Sequence, residues 1–251
     1  MRLLLIRHGQ SANNVLAESD GHNYDLYMST RSPEPPLTAL GHRQAALLAQ
    51  QLAVAAARPL PESERMAWLV TEHPIDSLYV SPMLRAMQTA APIGRALGLA
   101  PQVWVDIHEH GGVFTGNPDK ANVVEYPGLS RAQMAAQFPA YQILGGVGDG
   151  RWWRGGYEEL GACYARAQRV ATALLAMAVA RPDSAVALVT HGTFLDNLFH
   201  ALLAPGEAYN DCVHFSNLNT ATSRVDFHEG GHISLRYLNR VDHLPVELVT
   251  R

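Results

Sequence analysis

Two apolar segments of strand length, far apart in the chain, both end in a histidine followed by a glycine. Residues 2–6 run into Arg7-His8-Gly9, and residues 185–189 run into Thr190-His191-Gly192. Short apolar runs without alternation are typical of strands buried on both faces of a parallel sheet. When two such strands are neighbours, their carboxyl ends meet at one edge, so we expect His8 and His191 to lie together there.

The remaining segments alternate between strand and helix patterns. Capping residues, apolar periodicity and breakers indicate helices over residues 38–57, 81–97, 130–138, 157–180 and 194–203. Strands are expected over residues 2–6, 75–80, 103–105, 185–189, 222–227 and 232–238. This alternation predicts an α/β fold, namely a three-layer α/β/α sandwich with a mostly parallel central sheet.

Two segments interrupt the pattern. Residues 18–36 are rich in turn formers and are expected to be a surface loop without regular structure, and residues 111–156 read as an insertion. The insertion lacks enough apolar periodicity for a core of its own. We therefore predict one domain over residues 1–251, with the loop 19–36 and the insertion 111–156 forming a substrate cap.

Composition excludes several classes of protein. The two cysteines, Cys163 and Cys212, are too few for a disulfide framework or a structural zinc site. A net charge of −4 with scattered basic residues argues against a nucleic-acid partner. The apolar start is too short for a signal peptide and no segment is long enough to span a membrane, so we expect a cytoplasmic protein. The oligomeric state stays open, a homodimer included.

The residues at the predicted edge suit chemistry on phosphate. A neutral imidazole is a competent nucleophile, and a second, protonated imidazole holds the charge of a phosphoryl group. Arg7 and Arg85 suit the same site because guanidinium groups bind phosphate oxygens bidentately. Glu109 is a candidate acid for the leaving oxygen and, afterwards, a base for water. The alternative is structural: histidines that only end strands, a solvated Arg85, and a Glu109 paired with a neighbouring histidine.

Four motifs occur in the order of a known family: Arg7-His8-Gly9 with Asn14, Ser81-Pro82-Met83-Leu84-Arg85, His108-Glu109-His110, and Thr190-His191-Gly192-Thr193. Together they resemble the histidine phosphatase superfamily, which includes the phosphoglycerate mutase-like enzymes. The resemblance implies that His8 is phosphorylated, that Arg7, Arg85 and His191 bind phosphate, and that Glu109 is the acid. It also implies substrate contacts by Asn14 and Thr193, and no metal or organic cofactor.

We therefore expect a metal-independent phosphatase that hydrolyses small phosphate monoesters through a phosphohistidine on His8. A phosphoglycerate mutase-type phosphotransferase is the first alternative, but residues 111–156 lack the Arg-Arg-Ser stretch associated with mutases. A non-catalytic member that binds a phospholigand is the second. A metallohydrolase using His108, His110, His228 and His232 is the third, although nothing in the sequence brings the last two near the first two.

Overall fold

The computed structural model describes residues 1–19, 23–57 and 74–251. Within these ranges the α-helices are α1 (Ala12–Ser19), α2 (Tyr24–Thr30), α3 (Ala39–Ala56), α4 (Leu84–Leu97), α5 (Arg131–Gln137), α6 (Leu160–Ala180) and α7 (Gly192–Leu203). The strands are β1 (Arg2–Arg7), β2 (Ser77–Val80), β3 (Gln102–Val103), β4 (Phe114–Thr115), β5 (Val124–Glu125), β6 (Gln142–Ile143), β7 (Ala185–Thr190), β8 (Thr222–Phe227) and β9 (Ile233–Arg240). None of the described helices is long and apolar enough to cross a membrane.

The central sheet has the strand order β6-β3-β2-β7-β1-β8-β9. Strands β6, β3, β2, β7 and β1 are parallel, and β8 and β9 add an antiparallel hairpin at one edge. Strand β1 pairs with β7 in a register that sets Arg7 opposite Thr190. The expected neighbourhood of the two His-Gly strands is confirmed, and so is the mostly parallel sheet.

Alternation along β1 divides the core into two layers. Leu3 and Leu5 pack with residues of α6 and α7, whereas Leu4 and Ile6 pack with residues of α3 and α4 on the other face. Each fully buried leucine or isoleucine of this kind stabilises the fold by roughly 2 kcal/mol. The same alternation directs Arg7 towards α7 and the next side chain, His8, towards α4.

The expectation of an irregular loop over residues 18–36 was wrong over residues 24–30, which form α2. Asn23 caps this helix, since its Oδ1 accepts the N–H of Leu26. The helical residues contain no glycine or proline, and Met28 is buried. Residues 20–22 of the expected loop lie outside the described residues.

The expected strand over residues 103–105 was also wrong at its end, because the chain turns into a 3-10 helix at Val105–Ile107. Two side chains hold that turn: His108 Nδ1 lies 2.7 Å from the carbonyl of Val105, and Arg166 donates to the carbonyl of Asp106 at 2.7 Å. Helix α6 begins at Leu160 rather than at residue 157, because Glu158 is engaged by Arg166 before the helix starts.

The insertion is part of the same core. Its strand β6 extends the edge of the central sheet, and Trp152 and Trp153 pack into the cluster on the α3–α4 face. Its short helix, expected over residues 130–138, is present as α5, with a capping box formed by Ser130 and Gln133.

Candidate active site

His8 and His191 lie side by side at the carboxyl edge of the sheet. The centroids of their rings are 5.1 Å apart, and the two residues are only 3% and 0% exposed. The backbone also joins the two strand ends, because the N–H of His8 donates to the carbonyl of Thr190. Two buried imidazoles at one strand edge therefore form the centre of the candidate site.

The contacts of His8 define its tautomer. Its Nδ1 lies 2.7 Å from the carbonyl oxygen of Gly9, which can only accept, so Nδ1 carries the hydrogen. The lone pair of Nε2 is left facing the site, where it accepts the Nε–H of Arg85 at 3.1 Å. Burial lowers the pKa of His8 well below its usual value of 6.5, and the charges of Arg85 and Arg7 lower it further. The ring is neutral, as a nucleophile must be.

A close backbone approach explains the glycine after His8. A Cβ on Gly9 would lie 2.6 Å from the carbonyl oxygen of Gly41, and a Cβ on Gly41 would lie 2.1 Å from that of Gln10. Any larger residue at either position would push the loop after β1 away from the start of α3. The N–H of Gly9 is further held by Thr89 Oγ1, which itself donates to the carbonyl of Arg85. This chain of bonds ties the loop to α4.

Arg7 and Arg85 flank the histidines on opposite sides. Arg85 lies in the first turn of α4 and is buried, and burial lowers its pKa. Arg7 donates from one terminal nitrogen to the carbonyl of Asn217, while its Nε is buried without a hydrogen-bond partner. Burial lowers the pKa of Arg7 to about 10, so it remains a cation at neutral pH. A Cβ on Gly192 would lie only 3.3 Å from this Nε, so a side chain there would crowd the guanidinium.

His191 is held by Ser81, a contact that was not anticipated. Its Nε2 lies 2.7 Å from Ser81 Oγ, which also accepts the N–H of Met83 at 3.3 Å. The serine hydrogen is then free to point at Nε2, which leaves the ring hydrogen on Nδ1, a buried atom without a partner. Burial, with Arg85, lowers the pKa of His191 well below its usual value. Burial thus disfavours the protonated imidazole expected from the sequence, and the neutral ring has one N–H to donate.

Glu109 lies at the amino end of α7. Its Oε1 accepts the N–H groups of Phe194 and His110, both at 2.9 Å, and its Oε2 lies 3.3 Å from the N–H of Thr193. Its negative charge acts on both arginines, opposing the lowering of the pKa of Arg7 and of Arg85 by burial. The carboxylate is thus held at a helix terminus beside the two cations.

The loop that carries Glu109 is fixed by a buried ion pair. Arg166 donates to the two carboxylate oxygens of Glu158 at 2.8 and 2.6 Å and to the carbonyl of His108 at 2.9 Å. This support was not predicted from the sequence, because Arg166 and His108 are 58 residues apart.

Two other predicted contacts lie further from the centre. Asn14 Oδ1 accepts from both the N–H and the Oγ of Ser11, at 2.9 and 2.8 Å, so it closes the turn at the start of α1. Thr193 is exposed, and its backbone N–H faces Glu109. Roles for these two residues in substrate binding stay predictions.

Glu34 is a further residue that the sequence analysis missed. Its Oε2 accepts the N–H of Leu84 at 2.9 Å, while its Oε1 is buried without a partner. Burial raises the pKa of Glu34 to about 7, although the charge of Arg85 acts in the opposite direction. No local sequence signal marks it, because its partner is 50 residues away.

The four histidines of the metallohydrolase alternative do not come together. His108 and His110 lie near the carboxyl ends of the parallel strands. His228 follows β8 next to the first residues of β1, and so lies at the opposite ends of those strands. Among the described residues, no group of three or more histidine, cysteine or acidic side chains is arranged to hold a metal ion.

A cleft of about 500 Å³ opens beside Arg7 and Glu109. Its walls come from the loop after the Val105–Ile107 turn, the first residue of α6, the start of α7 and the segment after α7. The lining side chains include His110, Thr193, Tyr209, His214 and Arg251. Of the site residues described above, Arg7 and Glu109 line this cleft.

The site combines a neutral buried imidazole with the guanidinium groups of Arg7 and Arg85, at the carboxyl ends of a mostly parallel sheet. This combination defines an enzyme that acts on phosphate esters. The chain belongs to the histidine phosphatase superfamily (branch 1), whose family model matches residues 60–240. As a member of that family it is an enzyme of the phosphatase type that acts on phosphate monoesters. The matched range begins after His8, so the inclusion of Arg7 and His8 in the site depends on the geometry above.

Solved structures of other phosphatases share the fold. A phosphoserine phosphatase mutant from Entamoeba histolytica, in complex with phosphoserine, has a TM-score of 0.58 and 20% identity over 97% of this chain and 99% of that one. The α-ribazole phosphatase of Shigella flexneri has a TM-score of 0.58 and 19% identity over 96% and 97% of the two chains. A mycobacterial glucosyl-3-phosphoglycerate phosphatase has a TM-score of 0.54 and 21% identity over 95% and 98%.

One relative is similar in sequence over part of its length. The PE-PGRS family protein PE_PGRS11 of Mycobacterium tuberculosis is 32% identical over 114 residues. The match covers 45% of this chain and 15% of that protein. The similarity is therefore confined to a small part of a much longer chain.

Proposed function

We propose that the enzyme hydrolyses small phosphate monoesters through a phosphohistidine on Nε2 of His8. The observation that carries this proposal is the arrangement of the His8 ring, in which the Gly9 carbonyl holds the hydrogen on Nδ1 and the lone pair of Nε2 faces Arg85. Its lowered pKa keeps that lone pair available in mildly acidic solution. The nucleophile needs no separate base, because it is already deprotonated.

In the first step, Nε2 attacks phosphorus in line with the ester oxygen, a nitrogen–phosphorus bond forms, and the bond to the leaving oxygen breaks. Arg7, Arg85 and the N–H of His191 stabilise the three equatorial oxygens, on which charge is spread in the transition state. The Nε of Arg7 and the Nδ1 of His191 support this role, because both are buried without a partner and so have hydrogens to offer.

Glu109 acts as the acid and then as the base in this proposal. It gives a proton to the departing alcohol and then removes a proton from the water that attacks the phosphohistidine. Water's oxygen ends on phosphate, and both His8 and Glu109 return to their starting states. Its position beside Arg7, at the mouth of the cleft, supports this role.

The substrate is proposed to be a small-molecule phosphate ester that lies beneath a cap. The structurally similar phosphatases described above act on small phosphate esters, which supports this class. The cap consists of residues 23–36 together with residues 111–156. Its two parts contact one another, since Asn117 Nδ2 donates to Asp25 Oδ1 at 2.7 Å and α2 packs on β4.

The test compares the wild type with His8→Ala on an aryl phosphate in excess chelator, together with His232→Ala as a control at an exposed histidine. We expect chelator-resistant turnover in the wild type and in His232→Ala, and none in His8→Ala. Rapid quenching of the wild type should trap a phosphoenzyme that is labile to acid and stable to base, as expected for a phosphoramidate. Turnover that survives His8→Ala would contradict the proposal, and turnover that needs a metal would favour a metallohydrolase.

The same phosphoenzyme preparation distinguishes hydrolysis from the mutase alternative. A mutase returns the phosphoryl group to a second hydroxyl of the bound product before water enters. Accumulated phosphoenzyme that transfers its phosphoryl group to an added alcohol much faster than to water would favour that activity over hydrolysis.

A further inference from the structure

Arg31 lies in the cap, and none of the described acidic side chains pairs with it. It is half-buried and follows directly on the last residue of α2. Its guanidinium carbon stacks 4.1 Å from the ring centroid of Phe114, and among the described residues its side chain makes one long hydrogen-bond contact, to the sulfur of Met28 at 4.0 Å. Its Nε is buried without a hydrogen-bond partner, and no described carboxylate forms an ion pair with it. A partly desolvated cation in this position is expected to have an anionic ligand.

The backbone beside Arg31 is anchored to α1, the helix that follows His8. Asn13, a buried residue five positions after His8, bonds the next residue, Ser32, twice: its Nδ2 donates to the Ser32 carbonyl at 2.9 Å, and its Oδ1 accepts the Ser32 N–H at 3.0 Å. The aromatic stack holds the guanidinium itself against β4 of the insertion. Arg31 is therefore fixed at both its backbone and its head group, which reduces the entropy lost on binding a ligand.

Arg31 also lies close enough to Arg85 for their charges to interact. Its positive charge contributes to lowering the pKa of Arg85, although burial is the larger cause. Two cations held close enough to repel one another, with Nε of Arg85 already turned towards His8, suit a ligand with more negative charge than one phosphoryl group. Two arginines of the insertion differ from Arg31, because Arg131 donates to three backbone carbonyls and Arg151 contacts Glu125.

We propose that Arg31 determines substrate specificity by binding a second anionic group, a carboxylate or a phosphate, on the leaving group of the phosphate ester. This inference rests on the proposed function, because it assigns the leaving group of that reaction to the cap side of Arg85. The Phe114 ring forms the apolar floor under the guanidinium, so the anion is met at the edge of the planar group, where its N–H donors point.

The test uses three aryl phosphates that differ only at the para position: one neutral, one with a carboxylate and one with a phosphonomethyl group. For the wild type we expect higher kcat/KM on one or both of the anionic substrates. Arg31→Gln should lower kcat/KM on the preferred anionic substrate by about 10- to 100-fold, mainly through KM, as expected for loss of a charge-assisted hydrogen bond. It should change the neutral substrate by less than about threefold, and Arg31→Lys should retain part of the preference.

Two control variants locate the effect. Arg151→Gln removes an exposed positive charge from the other part of the cap, the insertion, and should leave the preference unchanged. Arg251→Gln removes the arginine that lines the cleft beside Arg7, and loss of the preference in that variant instead would overturn the assignment to Arg31.

The remaining outcomes also decide the matter. A wild type without any preference, or equal slowing of all three substrates by Arg31→Gln, would overturn the inference while leaving the proposed hydrolysis intact. If the wild type hydrolyses none of the three substrates, the proposed function fails, and the inference fails with it. The carboxylate and phosphonomethyl substrates distinguish the two kinds of anion, because Arg31→Gln lowers kcat/KM only on a substrate whose second anionic group Arg31 binds.

Discussion

A backbone carbonyl one residue away determines which ring nitrogen of His8 carries the hydrogen and which faces the site. The Gly9 carbonyl fixes the hydrogen on Nδ1, and Arg85 faces the opposite nitrogen. The partner ring, His191, is oriented by Ser81 in a comparable way. Both rings are neutral because burial and the nearby arginines lower their pKa values. Positive charge at the site therefore comes from the arginines rather than from a histidinium.

The role of Glu109 is testable through the leaving group. A good leaving group departs without protonation, whereas an alkoxide does not, so loss of the acid matters only for the second kind. We expect Glu109→Gln to slow an alkyl phosphate by about 100-fold or more and 4-nitrophenyl phosphate by less than about tenfold. Steady-state kcat/KM values across a series of leaving groups measure this. Glu159→Gln, which removes an exposed carboxylate nearby, serves as the control, and equal slowing along the series would exclude Glu109 as the acid.

At the level of elements, the segment between α2 and α3 is locked onto the helix that carries Arg85. Helix α4 has no side-chain cap from its own N-cap residue, Met83, and Glu34 supplies the missing acceptor to Leu84. The N–H of Leu37 is bound by Gln88, one turn further along α4. The position of the cap segment and the position of Arg85 are thus coupled through one helix.

Glu34 makes this junction sensitive to pH. Its pKa is raised from 4.5 to about 7, so its contribution to stability is fully present below about pH 4.5 and is lost as the pH rises through about 7. Between about pH 5 and pH 8, the free energy of unfolding of the wild type should fall relative to Glu34→Gln by on the order of 2 kcal/mol. Urea unfolding at several pH values measures the difference, and parallel curves for the two proteins would refute it.

Elements with a strong local signal were predicted well. The apolar runs of β1 and β7 correctly predicted a parallel sheet and the proximity of His8 to His191. The helix start expected at residue 38 and the helix end expected at residue 97 are also correct, and Thr38 and Gly98 cap them. Prediction failed where a single side chain decides the backbone, as with Asn23 at the start of α2 and Arg166 beside the Val105–Ile107 turn. The contacts of Ser81 with His191 and of Glu34 with Leu84 were not predicted, because these partners are 110 and 50 residues apart and no local sequence pattern connects them.

At the scale of the whole molecule, the chain combines a sheet packed on both faces with one part of the cap, helix α2, that is held by few contacts. The sheet places Arg7, His8 and His191 on two central strands packed on both faces. The cap depends on polar contacts between α2 and the insertion: Asp25 accepts from Asn117 at 2.7 Å and pairs with Lys120 at 2.8 Å. Elements with few buried apolar contacts open more readily than the core, and Met28 is the one buried residue of α2, so α2 is expected to open without global unfolding.

This difference predicts a local effect for Asp25→Ala. Loss of both contacts should release α2, so amides of residues 24–30 should exchange with solvent about tenfold faster or more, while amides of β1 and β7 remain unchanged. Hydrogen exchange followed by mass spectrometry measures both regions in one experiment, with Asp211→Ala, an exposed aspartate after α7, as the control. The melting temperature should stay within about 2 °C, because an exposed ion pair contributes little to global stability. Faster exchange in β1 as well would show that α2 and the core unfold as one cooperative unit, and it would contradict a helix α2 that opens on its own.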